Sequence, residues 1–328
     1  MDNKDAMHKR WAQYWTHPEY WASDFFGDRL QLNNQQYDAC IELGKLIDAK
    51  LKFVRGEKLT EAEAILAKKI GVSIMAGKGC GKDLFAALLI CYFLAVFESP
   101  HVMGTANTGA QLKNVLWREI SKVMSLSKPK DPDNPSGPTI LQDILVWQTE
   151  KVYYKEAQGQ RWFAEARTIS PHATTDEQAK SLTGRHEDVM FFVIDEAAGV
   201  PEPALNALEE TLTGKLNLIL LIFNPIKTSC FAVQSHQKNR AKWVAIHWDT
   251  EKTVFKDEGM NRSMQARNSR IESERGRDSN PFRVSVLGLP PLADSDALIS
   301  YDWVMDAVDR EIVPDDDACF VSQIFDRF

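Results

Sequence analysis

The run "GVSIMAGKGCGKDLFAALLICYFLAVF", Gly71 to Phe97, leaves the chain little freedom. It opens on a short apolar piece, Val72 to Met75, that reads as a strand. Gly77, Gly79 and Gly81 follow at alternate positions, where only a turn fits. From Leu84 to Phe97 every residue is apolar. That run falls short of the roughly 20 residues that cross a bilayer. It reads instead as a helix covered on both sides, as in a parallel α/β domain. Strand, glycine turn and buried helix in this order point to one βα unit of such a domain.

The turn has chemistry of its own. "AGKGCGKD", Ala76 to Asp83, is close to the phosphate-loop pattern of two glycines with four residues between them and a closing Lys. In such a loop the backbone N–H groups of Gly77, Lys78, Gly79, Cys80 and Gly81 approach phosphate oxygens. The positive end of the next helix adds to the attraction, and Lys82 reaches the β- and γ-phosphates. Two positions depart from the pattern. Ala76 stands where the first Gly is usual. Asp83 stands where a Ser or Thr hydroxyl usually holds Mg²⁺, so a carboxylate becomes the candidate metal ligand.

Composition sets outer limits. With 328 residues, 44% hydrophobic and 26% charged, the chain reads as globular, one large domain or two modest ones. The start carries no basic stretch followed by an apolar core, so no export is indicated. The five cysteines show no CxxC spacing, which fits a reducing compartment better than a disulfide or zinc framework. The net charge of −7 excludes a wholly basic DNA-binding module, but not a basic groove on an acidic protein.

A phosphate loop that hydrolyses needs an acid for the metal and a group that activates water. "VMFFVIDE" supplies both: Met190 to Ile194 read as a buried strand, with Asp195 and Glu196 at its C-terminal end. In parallel sheets that end faces the ligand crevice. Asp195 is the candidate magnesium ligand and Glu196 the candidate base for the attacking water. A helix is expected to begin near Pro201. Leu218 to Phe223 read as another buried strand, ending in Asn224-Pro225, which places a polar side chain near a γ-phosphate. A strand-ending Asn-Pro turn explains the same dipeptide equally well. Strand candidates recur at "GVSIMA", "HVMGTA", "RWFAEARTIS", "VMFFVID", "LNLILLIF" and "KWVAIHW", with helical patterns between several of them. The expected fold is a three-layer α/β P-loop NTPase with a mainly parallel central sheet, preceded by a helical N-terminal segment. "SKPKDPDNPSGP" reads as a surface loop. "KDEGMNRSMQARNSRIESERGRDSNP" reads as loop-like and partly helical. Trp11, Tyr14, Trp15, Tyr20 and Trp21 read as packing of the helical segment, or as a docking face.

These pieces together resemble the ATPase domain of the large terminase subunit, the DNA-packaging motor of tailed bacteriophages. "AGKGCGKD" looks like its phosphate loop, in which Arg or Lys commonly occupies the place of Lys78. "TANTGAQLKNVLWREI" is similar to the segment after the second strand, and "SLTGRHEDVMFFVIDEAAGVPE" to the segment leading into the acidic pair. "LLIFNPIKTSCF" resembles the Gly-Asn-Pro coupling stretch, with Phe223 in place of Gly. "SNPFRVSVLGLPPLADSDALIS" is similar to the segment that closes the ATPase region and is the most specific of the five.

The resemblance implies further expectations. ATP and Mg²⁺ would be the cofactors, and the catalytic group would be Glu196, Lys82 and Asn224, with Asn224 coupling hydrolysis to movement. Gln36 or Gln35 would contact adenine. An arginine from a neighbouring copy would complete the site, with Arg118, Arg161, Arg167 and Arg185 as candidates and Lys78 as an alternative within the same chain. The partners would be double-stranded DNA, a small terminase subunit, the portal protein of a procapsid and further copies of the chain in a ring, without a membrane, in the bacterial host cytoplasm. The domains would run 1–55 for a helical or lid segment, 56–292 for the ATPase, and 293–328 for a linker and the first strand of a nuclease domain whose clustered carboxylates are missing, so no nuclease activity is expected. Two other readings use the same residues: a related DNA-dependent ATPase or helicase, and a truncated prophage remnant that binds nucleotide without packaging.

Overall fold

The computed structural model describes residues 11–106, 112–168, 173–181 and 187–292. Arg185 and the segment after Leu292 lie outside them, as do parts of the stretches beginning "TANTG" and "SLTGRH". The described residues up to Pro291 belong to one compact unit.

Its centre is an eight-stranded sheet: β1 (Gly71–Ala76), β2 (His101–Thr105), β3 (Leu145–Trp147), β4 (Lys151–Tyr154), β5 (Phe163–Ala166), β6 (Val189–Asp195), β7 (Leu216–Phe223) and β8 (Trp243–Trp248). Their spatial order is β3-β4-β5-β2-β6-β7-β1-β8. From β5 to β8 every pairing is parallel, and only β4 runs against its neighbours. The α-helices of four residues or more, among the described residues, are α1 (Pro18–Phe26), α2 (Asn34–Val54), α3 (Glu61–Ala67), α4 (Lys82–Val96), α5 (Trp117–Leu126), α6 (Ile140–Ile144), α7 (Thr175–Ser181), α8 (Glu202–Glu210), α9 (Phe231–Gln234) and α10 (Glu258–Arg275).

The central strands read as unbroken apolar runs because both faces are covered, and their side chains alternate between two cores. On β7, Leu218, Leu220 and Ile222 join one core, while Ile219, Leu221 and Phe223 join the other. On β6, Phe191 and Val193 face the first, Phe192 and Ile194 the second. The first core also takes in α1, α2, α4 and α5; the second takes in α8 and α9. This is the expected three-layer α/β arrangement.

Helix α4 is buried along its whole length from Phe85 to Val96, and its Phe93 stacks on Phe191 of β6 at 4.0 Å. Among the described residues no helix is long and apolar enough to cross a membrane. The N-terminal helices share the same core: Trp21 and Tyr14 are buried, Trp11 and Trp15 pack against it, and Tyr20 is exposed. Tyr92 of α4 donates its hydroxyl to the Tyr14 and Trp15 carbonyls, tying the segment before α1 to the central layer.

All six strands expected from the sequence are present. Strands β3 and β4 are additional, and they are too short for an apolar pattern to show. The charged region after Lys256 is less loop-like than its composition suggests. It carries an 18-residue helix, α10, begun by the Asp257 side chain, which accepts from Gly259 and Met260 N–H. Asn268 is its only buried residue among those described, so no apolar stripe marks it in the sequence.

Candidate functional site

The loop between β1 and α4 takes the backbone that its glycines permit. Gly79 has φ 98° and Gly81 φ 78°, both in the region that side chains disfavour. Gly77 is needed for space: a Cβ there would lie 2.7 Å from the Val286 carbonyl oxygen. Gly81 caps α4, so Lys82 and Asp83 open the helix. Ala76, at the first motif position, is the buried last residue of β1.

Three acids surround Lys82. Its Nζ lies 2.8 Å from Asp83 Oδ1, 2.7 Å from Glu196 Oε1 and 3.5 Å from Asp195 Oδ1. Asp195 ends β6, one strand beyond β7 from the loop strand β1, so the sheet itself brings the two segments together. Glu196 follows with φ 50° in the left-handed region, a conformation that costs a non-glycine residue on the order of 1 kcal/mol or more. Its N–H donates to Asp195 Oδ1 at 2.9 Å, which fixes that carboxylate. The strained turn aims the Glu196 side chain back at Lys82 rather than along the strand.

The charges respond to this crowding. Burial pushes the Asp195 carboxyl up to about 6; Lys82 opposes the shift, while Asp83 and Glu196 add to it. Burial also works against the Lys82 ammonium, but the attraction of Asp195, Asp83 and Glu196 outweighs it and holds the lysine above its ordinary value. The group carries three carboxylates against one ammonium.

Asn224, just past β7, donates from Nδ2 to the Ala76 carbonyl at 2.6 Å. Lys78 is exposed at the tip of the loop, and Cys80 is buried beneath it. Both glutamines are turned inward. Gln36 donates from Nε2 to the Gly81 carbonyl at 2.9 Å, while its Oε1 accepts from Asn33 N–H in a capping box at the start of α2. Gln35 donates to the Asp249 carbonyl and to Thr253 Oγ1, and accepts from Asp249 N–H. Gln36 thus braces the loop backbone. Of the arginine candidates, Arg118 and Arg161 are exposed and Arg167 pairs with Glu165 at 3.2 Å; Arg185 lies outside the described residues.

Contacts from far along the chain escape sequence reasoning. The Lys78 N–H donates to the Ser285 carbonyl at 2.8 Å and the Gly77 N–H to the Trp248 carbonyl at 2.9 Å. Arg267 of α10 donates from Nη1 to the Lys78 carbonyl at 2.9 Å. Gly288, with φ 64°, packs so closely that a Cβ there would meet Gly77 N at 2.5 Å. The stretch "SVLGLPP" therefore cradles the loop, which gives the closing motif a structural reason. A cleft of ≈ 380 Å³ opens alongside, walled by Thr250, Thr253, Asn261, Met264 and Asn268 among others.

No family model matches the chain. Among curated proteins it is similar to the probable terminase large subunit of Enterobacteria phage P7, at 24% identity over 247 residues, covering 73% of this chain and 46% of that protein. The chain spans about half the length of that relative. Among solved structures it is similar to the large terminase of a thermophilic bacteriophage, with TM-score 0.47, 14% identity and coverage of 75% of this chain and 53% of that one. It is also similar to the large terminase ATPase domain of Thermus phage P74-26, with TM-score 0.46, 15% identity and coverage of 73% and 96%. The resemblance carried by the motifs thus agrees with the curated relative.

Proposed function

We propose that this chain is an ATP-hydrolysing motor subunit that couples hydrolysis to translocation of double-stranded DNA into a procapsid. The observation that carries the reading is the meeting of Lys82 with Asp83, Asp195 and Glu196 at the C-terminal ends of parallel strands, beneath a glycine loop at a helix N-terminus. The similarity to a terminase large subunit supplies the DNA-packaging part.

In this reading the loop from Ala76 to Asp83 binds the phosphates, with Lys82 on the β- and γ-phosphates. Mg²⁺ fits the donors present. Asp83 and Asp195 offer carboxylate oxygens within reach of a single Lys82 Nζ. Magnesium typically takes one or two carboxylates together with phosphate oxygens and water. The acids alone do not form a complete cage: among the described residues no group of three or more His, Cys, Asp or Glu is arranged to hold a metal. Bound Mg²⁺ would neutralise charge developing on the phosphates. When Lys82 turns to the phosphates, Glu196 is released to orient and deprotonate the attacking water. Asn224, bonded to the loop strand, would carry the change at the γ-phosphate into β7 and the second core. The cleft beside α10 has the size and mixed lining of a nucleoside site.

DNA would be gripped by its phosphates without sequence preference. A ring of copies, a portal and a small subunit are the partners this reading requires. The test is ATPase activity of the assembled motor, with duplex DNA of unrelated sequences at rising salt. Stimulation by any duplex, falling steeply with salt, supports it. A response to one sequence alone, or to RNA alone, rejects packaging.

A second reading, nucleotide binding without turnover, is favoured by Asp83 alone, since it stands in place of the usual hydroxyl.

A further inference from the structure

Arg267 makes an unusual set of contacts for a charged side chain. Its guanidinium donates to the Lys78 carbonyl at 2.9 Å, to Asn268 Oδ1 at 3.3 Å and to the Ser285 carbonyl at 3.4 Å. No carboxylate pairs with it among the described residues. It is partly buried, and burial lowers its pKa. The same helix sets Met264 against the loop: a Cβ on Gly79 would lie 3.0 Å from Met264 Cε. The Lys78 N–H in turn donates to Ser285. Both polar groups of the Lys78 backbone are therefore held from outside the loop, by Arg267 and Ser285, which lie 189 and 207 positions further along the chain.

The consequence lies in the next peptide. The Lys78 carbonyl and the Gly79 N–H share one planar trans unit and point in opposite directions. By holding the carbonyl toward α10, Arg267 turns the Gly79 N–H away from α10. A positive donor on the carbonyl also polarises the peptide and strengthens that N–H as a donor. A loop with Gly at 79 would otherwise flip this peptide at little cost.

We propose that Arg267 is a positioning residue for the phosphate loop: its forked guanidinium holds the Lys78 and Ser285 carbonyls together and so presents the Gly79 N–H to a bound phosphate group. The proposal rests on the nucleotide reading above. It assigns α10 the role of a brace whose seating sets the donor geometry of the loop.

The test compares wild type with Arg267→Gln, Arg267→Ala and Arg267→Lys. Hydrogen exchange of the peptide covering 77–82 is followed in the nucleotide-free protein, and KM and kcat for Mg·ATP are measured separately. Loss of a charge-assisted bond should raise KM about tenfold, with kcat within a few-fold, because the donor serves ground and transition states alike. Exchange across 77–82 should quicken in Arg267→Gln, while the remaining peptides and the unfolding temperature stay near wild type. Arg267→Lys should recover only part of the effect, since one ammonium cannot bridge two carbonyls as a planar fork does. Full recovery by Lys, unchanged exchange, or a collapse of kcat at unchanged KM would each overturn the proposal. A wild type that binds no nucleotide would reject the nucleotide reading instead, and the exchange data would still decide whether Arg267 orders the peptide. If Arg267→Ala does not fold, the Gln and Lys variants carry the comparison.

Discussion

The Asn224 side chain and the Ala76 carbonyl meet at 2.6 Å, joining the end of β7 to the residue at which β1 passes into the glycine loop. Both are buried. The bond crosses neighbouring parallel strands, whose register sets Met75 opposite Phe223. Under the proposed function, this bond is the path by which a movement of the loop would reach β7.

Replacing Asn224 with Leu leaves a buried carbonyl without its donor. The expected loss is about 1–3 kcal/mol of unfolding free energy, measured by denaturant titration. Asn224→Asp should be as costly or worse, because a carboxylate faces a carbonyl oxygen. Loss of less than about 0.5 kcal/mol in both would mean that the bond carries no structural load.

Asp83 gives a prediction about metal. Its carboxylate already sits 2.8 Å from Lys82 Nζ, in a group with two further acids. A triphosphate added without a cation would crowd like charges in a partly buried site. ATP binding should fall tenfold or more in EDTA, and Asp83→Ser should restore part of the metal-free binding while keeping hydrolysis. Titration of a fluorescent ATP analogue with and without Mg²⁺ decides it. Equal wild-type affinity in both conditions would place Asp83 outside the metal's reach.

His236 gives a prediction about pH. Its ring contacts Ser73 Oγ at 3.1 Å, and burial, with help from His247 and Arg240, holds its pKa down to about 4. The unfolded chain takes up this proton near 6.5, and the folded protein only near 4. The folded state therefore binds fewer protons between these values, and stability falls as pH drops from about 6.5 to about 4. The cost from this group reaches about 3 kcal/mol at most, less to the extent that solvent reaches the ring. Unfolding of wild type and His236→Gln should converge as pH falls, provided Gln fills the site near neutral pH. Parallel stability curves for the two would remove His236 from the acid sensitivity.

The residues that sequence reasoning located are those whose neighbours in the chain define their setting. Asp195 and Glu196 follow an apolar strand, and Lys82 follows a glycine turn and opens a buried helix. Each is legible because a strand covered on both faces has to be apolar throughout. What escaped has no such local mark. Strands β3 and β4 pair only at the sheet edge and keep partly exposed residues. Helix α10 buries one residue among those described and shows no apolar stripe. Arg267, Ser285 and Gly288 reach the loop through tertiary contacts that no spacing encodes. Gln36 is named from the sequence only as an adenine contact implied by the resemblance, and its bond to the Gly81 carbonyl is a further tertiary contact without a local mark.

Glu196 carries the central claim that the site hydrolyses ATP. Its carboxylate is 2.7 Å from Lys82 Nζ, and Gln keeps its size and polarity while losing the ability to accept a proton. The most direct measurement is phosphate release from Mg·ATP by wild type and by Glu196→Gln, with ATP affinity measured beside it. The account predicts turnover by wild type, a loss of about 10²-fold or more in the variant, and affinities within a few-fold of each other. No turnover by a wild type that binds ATP, or hydrolysis by Glu196→Gln within a few-fold of wild type, would contradict it.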